Sequence, residues 1–467
     1  MNEEKPSLQR IYFQLMKLRV VILLQITAIC AILAHDLMVR NGSLSGERTW
    51  LDTLMACAIT LVGGTLAAGG SNAINMVYDR DIDPGMSRTR TRPIPNGWVS
   101  PQHALIFGIL IMNIHEQYME RAIHLAKKGR GKVSPNPMVG CVIVKNGNII
   151  GEGYHKVFGG NHAEVEAFKN CIEDPTDASI YITLEPCIHF GKTPPCSNII
   201  LENGIRDVYI ATIDSNPLMS GKSVDFLKES GLNVQIDILK DEVDYLNRGY
   251  SKWIKTNQPL VIGKIAEDKK GFIAKKGSQI WITGNSSKKN VHKLRSEVDA
   301  IMIGKNTALI DNPELTVRKI IGINPKRVVL DTNRTLPYDL NLLKDNKAET
   351  IIVCSNKKFQ DNQTSHCKYI TVDELDGKLD PRHILIRLGQ LGITSVILEG
   401  GSELIKSFLN LDLIDEFYLY TSMNSNSDLN IRNPFTIDDR WEIKNKQVLD
   451  DDYLMILEKK EKCLQES

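Results

Sequence analysis

The sequence predicts an α/β protein made of two consecutive domains, preceded by a truncated all-α fragment of membrane-like composition. Beyond residue 113, strand-like runs alternate with amphipathic stretches of helical period, which is typical of layered α/β folds. Before residue 111, apolar runs rich in Ala and Gly resemble transmembrane helices instead. The 467 residues have room for about three such parts. We expect a fragment over 1–111 and domains over 112–256 and 257–467.

The composition is that of a globular protein, with 42% hydrophobic and 24% charged residues and a net charge of +1. This balance gives no basic footprint, so we expect no nucleic-acid partner. The nine cysteines are scattered, odd in number and not preceded by a secretory segment. They favour a reducing compartment, with cysteines used for metal binding or packing. The sequence thus predicts a cytoplasmic location for residues 112–467.

Three apolar runs lie in the first part of the chain. Val20–Ala34 is marginal as a membrane span, Leu51–Val77 is long enough, and Ala104–Met112 is too short, because a span takes about 20 apolar residues. Two spans would allow membrane association through residues 18–111. A homo-oligomer is equally compatible with the sequence.

A polar motif follows the second run. Asn75, Asp79 and Asp83 are spaced i, i+4, i+8 and share one helical face. Such carboxylates suit Mg²⁺ and a diphosphate, although charged residues that end a membrane helix give the same pattern. NMVYDRDID and RPIPNG, with KLRVVILLQITA earlier, resemble the UbiA-type prenyltransferases, above all the protoheme IX farnesyltransferases. The resemblance implies a prenyl-diphosphate and Mg²⁺ site at these three residues. It also requires a second aspartate-rich region, which the sequence after residue 111 does not supply, so we expect an inactive fragment.

The chemistry of the next part is concentrated in HAEVEAF and LEPCIHFGKTPPC. His162, Cys187 and Cys196 offer one imidazole and two thiolates, a catalytic zinc set that leaves a fourth position for water. Glu164, two residues after the His, fits the general acid/base that does not bind the metal in zinc deaminases. The alternatives are three ordinary core residues, or a closed structural zinc site with His189 as the fourth ligand.

The surrounding pattern predicts a helix over 114–129, a hairpin with an Asn-Gly turn after a strand at 139–144, and later two strands around a helix. TLEPCIHFGKTPPC, SPNPMVGCVIV and HAEVEA together resemble the deaminase half of the bifunctional riboflavin biosynthesis enzymes. That resemblance implies a cytidine-deaminase-like three-layer domain acting on 2,5-diamino-6-(5-phosphoribosylamino)pyrimidin-4-one. In DSNPLMSGKS, Ser215 and Ser223 stand where the family pattern has Pro and Gly.

We expect a connector at 245–259, and beyond it strand-like runs such as PLVIGKIA, VDAIMIGK and SVILEGG predict a second α/β sheet. SVILEGGSELIKSFL reads strand, Gly-Gly, helix, a pattern that suits phosphate but that many turns share. SQIWIT, VHKLRSEVDAIMIGKNTALIDNPELTVR and SVILEGGSEL resemble the reductase half of the same enzymes. The resemblance implies a dihydrofolate-reductase-like domain that uses NADPH.

The resemblance also implies two sets of contacts. The expected cofactor contacts are Ala266, Trp281, Thr307, Asp311, Thr332 and Gly401. The expected substrate contacts are Ser278 (or its neighbour Gln279), Arg295, Leu315, Arg318 and Glu399. The family's A-x-S-x-D-G is written AEDKKG here, without the Ser, and Ile280 is inserted into its S-Q-W.

The sequence therefore predicts zinc-dependent deamination followed by NADPH-dependent reduction of the ribosyl group to a ribityl chain, on a small phosphoribosyl pyrimidine. Three alternatives stay open: a membrane prenyltransferase, a nucleic-acid or nucleobase deaminase, and a membrane-tethered riboflavin enzyme. The Cys–Cys spacing, longer than C-x-x-C, disfavours the second. No linker separates Ile111 from Met112, which predicts a chimeric fusion of two unrelated sequences at that point.

Overall fold

The computed structural model describes residues 114–188, 194–358 and 367–460 continuously, with scattered positions before residue 105. The chain divides into two compact units, Met1–Tyr118 and Met119–Ser467. In the first unit the described residues form short helical pieces, and the Ser100 hydroxyl accepts a hydrogen bond of 3.2 Å from the His103 backbone N–H at the start of one of them. The described part of the chain contains no helix that is both long enough and apolar enough to span a bilayer.

Most of the predicted membrane segments lies outside the described residues, as do Asn75, Asp79 and Asp83. Ile111 and Met112, where we predict the junction, lie outside them as well. The predictions made for these positions therefore stay predictions, as do the domain boundaries.

The second unit begins with a five-stranded sheet of order β2-β1-β3-β4-β5. β1 is antiparallel to β2 and β3, whereas β3, β4 and β5 are parallel. The strands are β1 (Gly140–Lys145), β2 (Asn148–Tyr154), β3 (Ser179–Leu184), β4 (Asp207–Thr212) and β5 (Asn233–Gln235). The helices of this part are α1 (Ile114–Ala126), α2 (Ala163–Lys169), α3 (Cys196–Glu202), α4 (Lys222–Glu229), α5 (Lys240–Leu246) and α6 (Arg248–Thr256).

Helices cover both faces of this sheet, which makes three layers. Cys141 and Ile143 of β1 pack in one core with Ala163 and Ala167 of α2. Gly140 faces the other way, since side chains alternate along a strand. A Cβ atom on Gly140 would lie 1.9 Å from the Ala122 carbonyl oxygen, so only glycine lets α1 approach β1 this closely.

The predicted elements of this part are confirmed. The hairpin turns at Asn146 and Gly147, with φ of 50° and 78°, which are the positive values that a tight two-residue hairpin requires. The predicted strands around a helix are β4, α4 and β5. The segment treated as a connector at 245–259 is largely helical, because it contains α6.

A nine-stranded sheet follows, with the order β11-β10-β9-β8-β14-β6-β15-β18-β17. All of its pairings are parallel except those of β18 with β15 and β17. Its strands are β6 (Leu260–Glu267), β8 (Ala300–Gly304), β9 (Lys326–Leu330), β10 (Thr350–Ser355), β11 (Cys367–Val372), β14 (Ser395–Leu398), β15 (Glu416–Ser422), β17 (Trp441–Leu449) and β18 (Asp452–Lys459). Short pairs are formed by β7 (Phe272–Ala274) with β16 (Ile431–Arg432), and by β12 (Glu374–Leu375) with β13 (Lys378–Leu379).

Helices lie on both faces of this sheet too. They are α7 (Asn285–Arg295), α8 (Lys305–Asp311), α9 (Asn341–Lys344), α10 (Pro381–Gln390) and α11 (Ser402–Asn410). Val261 of β6 packs in a core with α10 and α11, while its neighbour Ile262 packs with α7 on the opposite face. Because both faces are covered, the parallel strands read as continuous apolar runs such as AIMIG. The predicted second α/β sheet is confirmed.

Candidate functional sites

The first site lies where strand and helix ends of the five-stranded sheet meet. His162 immediately precedes α2, and Cys196 is the first residue of α3. Cys187 follows β3 by three residues. The structure thus brings His162 together with two cysteines that lie 25 and 34 positions after it in the sequence.

The geometry of this cluster fits a tetrahedral metal ion. The His162 Nδ1 atom lies 3.5 Å from the Cys187 sulfur and 3.3 Å from the Cys196 sulfur. Ligand atoms at normal Zn–N and Zn–S bond lengths in a tetrahedron are separated by about 3.5 Å. Within the described residues this is the one group of three or more potential ligands whose donor atoms converge. The donor set of one imidazole and two thiols is one that zinc prefers.

Glu164 lies beside the cluster in the first turn of α2, and only 3% of its surface is exposed. Burial, together with the charge of Cys187, raises the pKa of this carboxyl to about 7. The shift holds for the cluster without a metal ion. A carboxyl whose pKa lies near neutrality can both take up and release a proton at working pH.

The cysteines are electrostatically distinct in the same metal-free cluster. Hydrogen bonds from Cys196 and His162 lower the pKa of Cys187 to about 4, although burial opposes the shift. The Cys196 backbone N–H also donates to the Cys187 sulfur over 3.3 Å. Of the two cysteines, Cys187 therefore loses its proton more readily in this cluster. His189, the alternative fourth ligand, lies outside the described residues.

Two neighbours of the cluster are absent from the sequence-based predictions. The His155 ring meets the His162 ring edge-on, with centroids 5.8 Å apart. Asn136 places its Nδ2 atom 3.1 Å from His155 Nε2, and the Asn161 carbonyl oxygen lies 2.9 Å from His155 Nδ1. Asn136 lies inside the quoted motif SPNPMVGCVIV, and His155 lies shortly before His162. A ligand pattern of one His and two Cys does not single out either residue.

A buried carboxylate, Glu185, connects the cysteine loop to the loop after β4. Its two oxygens accept hydrogen bonds from the backbone N–H groups of Asp214, Gly221 and Ser223, over 2.9–3.1 Å. The Ser223 hydroxyl donates to it as well, over 3.0 Å. Ser223, a departure from the family pattern, thus adds a hydrogen bond to a buried charge.

The residues expected at the second site lie at one edge of the nine-stranded sheet. Strands β6, β8, β9 and β14 are parallel, so their carboxyl ends share this edge, where α/β folds bind ligands. The expected contacts at or just after these ends are Ala266, Thr307, Thr332, Glu399 and Gly401.

An ion-pair cluster is the most ordered feature of this edge. The Arg295 guanidinium donates to both Glu399 oxygens over 2.7 and 2.9 Å, and the Lys264 Nζ atom lies 4.0 Å from the same carboxylate. Burial disfavours the charged form of Glu399, but Arg295, with Lys264 and His292, lowers its pKa to about 2. Burial lowers the pKa of Lys264. Arg295, expected to contact substrate directly, is thus already engaged by a carboxylate.

The loop after α8 carries two further expected contacts. Leu315 is buried and has a φ of 53°, which is unusual for a bulky side chain. Arg318 has an exposed side chain, and its backbone N–H donates to His292 Nδ1 over 3.2 Å. Its nearest carboxylate oxygen, on Glu314, is 3.9 Å away.

The remaining expected contacts are less closely connected. The Gly401 backbone N–H, at the start of α11, donates to the Thr307 hydroxyl over 3.3 Å. Trp281 is 64% exposed, with the Lys288 ammonium 4.4 Å above its ring. Ser278 is exposed, and burial raises the pKa of Asp311. The structure does not bring Ser278 or Trp281 into contact with the ion-pair cluster through any described interaction.

The departure AEDKKG has a structural role of its own. Asp268 is 1% exposed and its Oδ1 atom accepts from the backbone N–H groups of Lys270 and Phe272, both over 2.9 Å. Its Oδ2 atom accepts from the Asn426 backbone N–H over 3.0 Å. A buried aspartate therefore fixes the turn that follows β6, next to Ala266.

Comparison with known protein families gives three matches along the chain. Residues 112–212 match the cytidine and deoxycytidylate deaminase zinc-binding region, and residues 271–422 match the RibD C-terminal domain. Residues 28–114 match the UbiA prenyltransferase family. The UbiA match and the deaminase match overlap only at residues 112–114, next to the predicted junction.

Characterised relatives decide the family. The riboflavin biosynthesis protein RibD of Actinobacillus pleuropneumoniae is 41% identical over 310 residues, covering 65% of this chain and 82% of that protein. That of Aquifex aeolicus is 37% identical over 347 residues, covering 73% and 96%. The chain belongs to the RibD family. Its function is that of RibD: a bifunctional deaminase and reductase in riboflavin biosynthesis.

Solved RibD-type structures agree with this assignment. The diaminohydroxyphosphoribosylaminopyrimidine deaminase/5-amino-6-(5-phosphoribosylamino)uracil reductase of Thermotoga maritima superposes with a TM-score of 0.68 at 34% identity, covering 74% of this chain and 99% of that one. RibD of Acinetobacter baumannii gives a TM-score of 0.66 at 32% identity, with the same coverage. The predicted fold class, a deaminase-like domain followed by a reductase domain, is confirmed. The RibD domains suggest zinc and a nucleotide cofactor.

Proposed function

We propose that this protein deaminates 2,5-diamino-6-(5-phosphoribosylamino)pyrimidin-4-one hydrolytically and then reduces the ribosyl group of the product with NADPH. The observation that carries the first step is the convergence of His162, Cys187 and Cys196 beside the buried Glu164. The Thermotoga maritima relative is named for both reactions. Small-molecule chemistry also agrees with the absence of a basic surplus, since the net charge is +1.

In the deamination, His162, Cys187 and Cys196 would hold zinc and leave one position open. When bound, zinc supplies a water molecule of lowered pKa at neutral pH. Glu164 would accept one proton from that water and pass it to the ring nitrogen, and would then carry the proton of the newly formed hydroxyl group to the leaving amino group. One carbon–oxygen bond forms, one carbon–nitrogen bond breaks, and ammonia leaves. The burial of Glu164 keeps this proton exchange away from bulk water.

In the reduction, NADPH when bound would supply a hydride to the sugar carbon that carries the amine. The bond from that carbon to the ring oxygen breaks and the oxygen takes up a proton from solvent, which leaves a ribityl chain. The ionised Glu399 accepts hydrogen bonds from sugar hydroxyls, and Arg295 holds its carboxylate in one orientation. Lys264 adds positive charge on the same side of the sheet. The exposed guanidinium of Arg318, whose only described carboxylate partner is Glu314 at 3.9 Å, suits the sugar phosphate.

The cofactor would lie along the carboxyl edge, against Ala266, Thr307 and Gly401. Gly401 is exposed, and a Cβ atom there would come no closer than 3.9 Å to its nearest neighbour, the Thr307 hydroxyl oxygen. The first backbone N–H groups of α11 lie behind it, and helix N-termini favour phosphate. Thr332, Asp311 and Trp281 complete the proposed cofactor contacts, and Ser278 and Leu315 the proposed substrate contacts.

A pair of glutamate variants tests the deaminase assignment. Glu164→Gln keeps the size of the side chain but removes its proton chemistry, so we expect ammonia release to fall by at least about 10²-fold with the zinc content unchanged. Glu166→Gln is the matched control, since Glu166 lies on the same helix but pairs with Lys156 and Asn161. Undiminished deamination by Glu164→Gln would refute the proposed mechanism.

A chain begun at Met112 tests the proposal that residues 1–111 take no part in either reaction. We expect both activities to be retained in full. Loss of either activity with the zinc content intact would show that the UbiA-like part contributes to function.

A further inference from the structure

The helix between the two domains, α6, touches both of them and two loops that connect to the zinc-ligand cluster through His155 and Glu185. We propose that α6 is a positioning element of the deaminase. It is anchored on the reductase domain and holds loops 133–138 and 214–223 in place near the cluster. The proposal rests on the proposed deaminase function for its kinetic readout, but the contacts that carry it do not depend on that function.

The first loop is held by Asn247, the residue that immediately precedes α6. Its Oδ1 atom accepts from the Met138 backbone N–H over 2.8 Å, and its Nδ2 atom donates to the Met138 carbonyl oxygen over 3.0 Å. Asn247 is 4% exposed, so water cannot readily replace these bonds. The same loop carries Asn136, which contacts His155 and through it the ring of His162.

The second loop is held by the next turn of the helix. The Tyr250 hydroxyl donates to Asp214 Oδ1 over 2.9 Å, and the Ser215 hydroxyl donates to the Ser251 hydroxyl oxygen over 3.0 Å. Ser215 is the residue that replaces a family proline, so this chain gains a contact that a proline could not make. The far end of the loop is fixed by Glu185, two positions before Cys187.

The opposite side of α6 is seated on the reductase domain. Arg248 pairs with both oxygens of Glu416, and the Lys252 ammonium lies 2.5 Å from Asp415 Oδ2. The Trp253 indole N–H donates to the Gly389 carbonyl oxygen over 2.9 Å. Glu416 is the first residue of β15, and Gly389 lies in the last turn of α10. The helix α6 is therefore fixed to two elements of the reductase domain.

These contacts form a continuous structural connection. The reductase domain fixes α6, and α6 fixes the two loops. The first loop reaches His162 through His155, and the second contacts Glu185, two positions before Cys187. The deaminase geometry is therefore set in part by residues of the other domain. Loosening one loop at α6 should impair deamination while leaving the reductase site, at the carboxyl edge of the other sheet, unaffected.

The test is Tyr250→Phe in the full chain, which removes one hydroxyl and no packing volume. A hydrogen bond to a carboxylate is typically worth enough to change kcat/KM about tenfold. We expect a fall of that size in deamination, carried mainly by a higher KM, with the zinc content and the reduction of the deaminated pyrimidine unchanged. Tyr338→Phe is the control, since Tyr338 is 63% exposed on the reductase domain.

Hydrogen exchange of backbone amides gives a readout that is independent of substrate. In Tyr250→Phe we expect faster exchange over 214–223 and unchanged exchange in β8 and β14. Faster exchange over 214–223 in Tyr250→Phe, together with a wild type that does not deaminate the pyrimidine, would reject the proposed function but retain the positioning role. Equal losses of both activities, or unchanged deamination and exchange, would overturn the proposal.

Discussion

Removing the charge of Glu399 is the most informative perturbation of the reductase site. Glu399→Gln preserves the shape of the side chain but leaves the Arg295 guanidinium, now 2.7 Å from the nearer oxygen, without a counter-ion. The Lys264 ammonium, 4.0 Å from the carboxylate, loses its counter-ion as well. Both members of the Arg295–Glu399 pair have largely buried side chains, at 12% and 9% exposure, so solvent cannot compensate fully.

The size of the effect follows from the pKa of Glu399. A fall from the ordinary value of 4.5 to about 2 means that the folded protein favours the charged form by about 3 kcal/mol. Breaking a buried ion pair by removing one partner typically costs about 3–5 kcal/mol. We therefore expect Glu399→Gln to lower the free energy of unfolding by about 3 kcal/mol and to reduce the reductase activity.

The assay is urea unfolding of the wild type, Glu399→Gln, Arg295→Met and the double variant. If the pair is coupled as the distances indicate, Arg295→Met should cost little more in the Glu399→Gln background, because its partner is already gone. Deamination should be unaffected in the folded variants. Strictly additive losses, or a change in unfolding free energy below about 0.5 kcal/mol, would refute this account of the cluster.

Three further outcomes are expected. Burial lowers the pKa of His292 from 6.5 to about 4, so the unfolded chain binds more protons than the folded protein between these pH values. Stability that is present above pH 6.5 is therefore lost as the pH falls towards 4, by up to about 3 kcal/mol. Urea unfolding at several pH values should show this pH dependence, and His292→Gln should remove it. Gly140→Ala should lower the free energy of unfolding by at least about 3 kcal/mol, measured by thermal unfolding, because its Cβ atom would meet the Ala122 carbonyl oxygen. Gly304→Ala, whose Cβ atom would have no neighbour within 4 Å, should cost under about 1 kcal/mol. Removing metal with a chelator should abolish ammonia release and spare NADPH oxidation on the deaminated pyrimidine; equal loss of both would contradict the separation of the sites.

The sequence predicts what is encoded locally. His162 with Glu164, and each Cys after its Pro, form short motifs, so the converging ligands could be expected before any fold was known. The strands of both sheets follow from continuous apolar runs. In the same way, the Asn146–Gly147 turn follows from residue types that accept positive φ.

Pairings between distant residues could not be predicted in this way. Arg295 and Glu399 are separated by 104 positions, and nothing in either motif indicates that each satisfies the other. Glu185 lies inside a quoted motif, yet its partners are backbone groups 29–38 positions away. The helix α6 is a different case: Tyr250, Trp253 and Ile254 lie at helical spacing within the segment predicted to be a connector, so its helical character could have been predicted.

The central claim is that one chain carries out deamination and then reduction at separate sites. It is tested most directly by measuring ammonia release and NADPH oxidation together, with the diaminopyrimidine as the starting substrate, in the wild type and in Glu164→Gln. In the wild type we predict equal amounts of ammonia released and NADPH oxidised, and in Glu164→Gln neither. Glu164→Gln should still oxidise NADPH when it is given the deaminated pyrimidine. NADPH oxidation by Glu164→Gln from the diaminopyrimidine, without ammonia, would contradict the account.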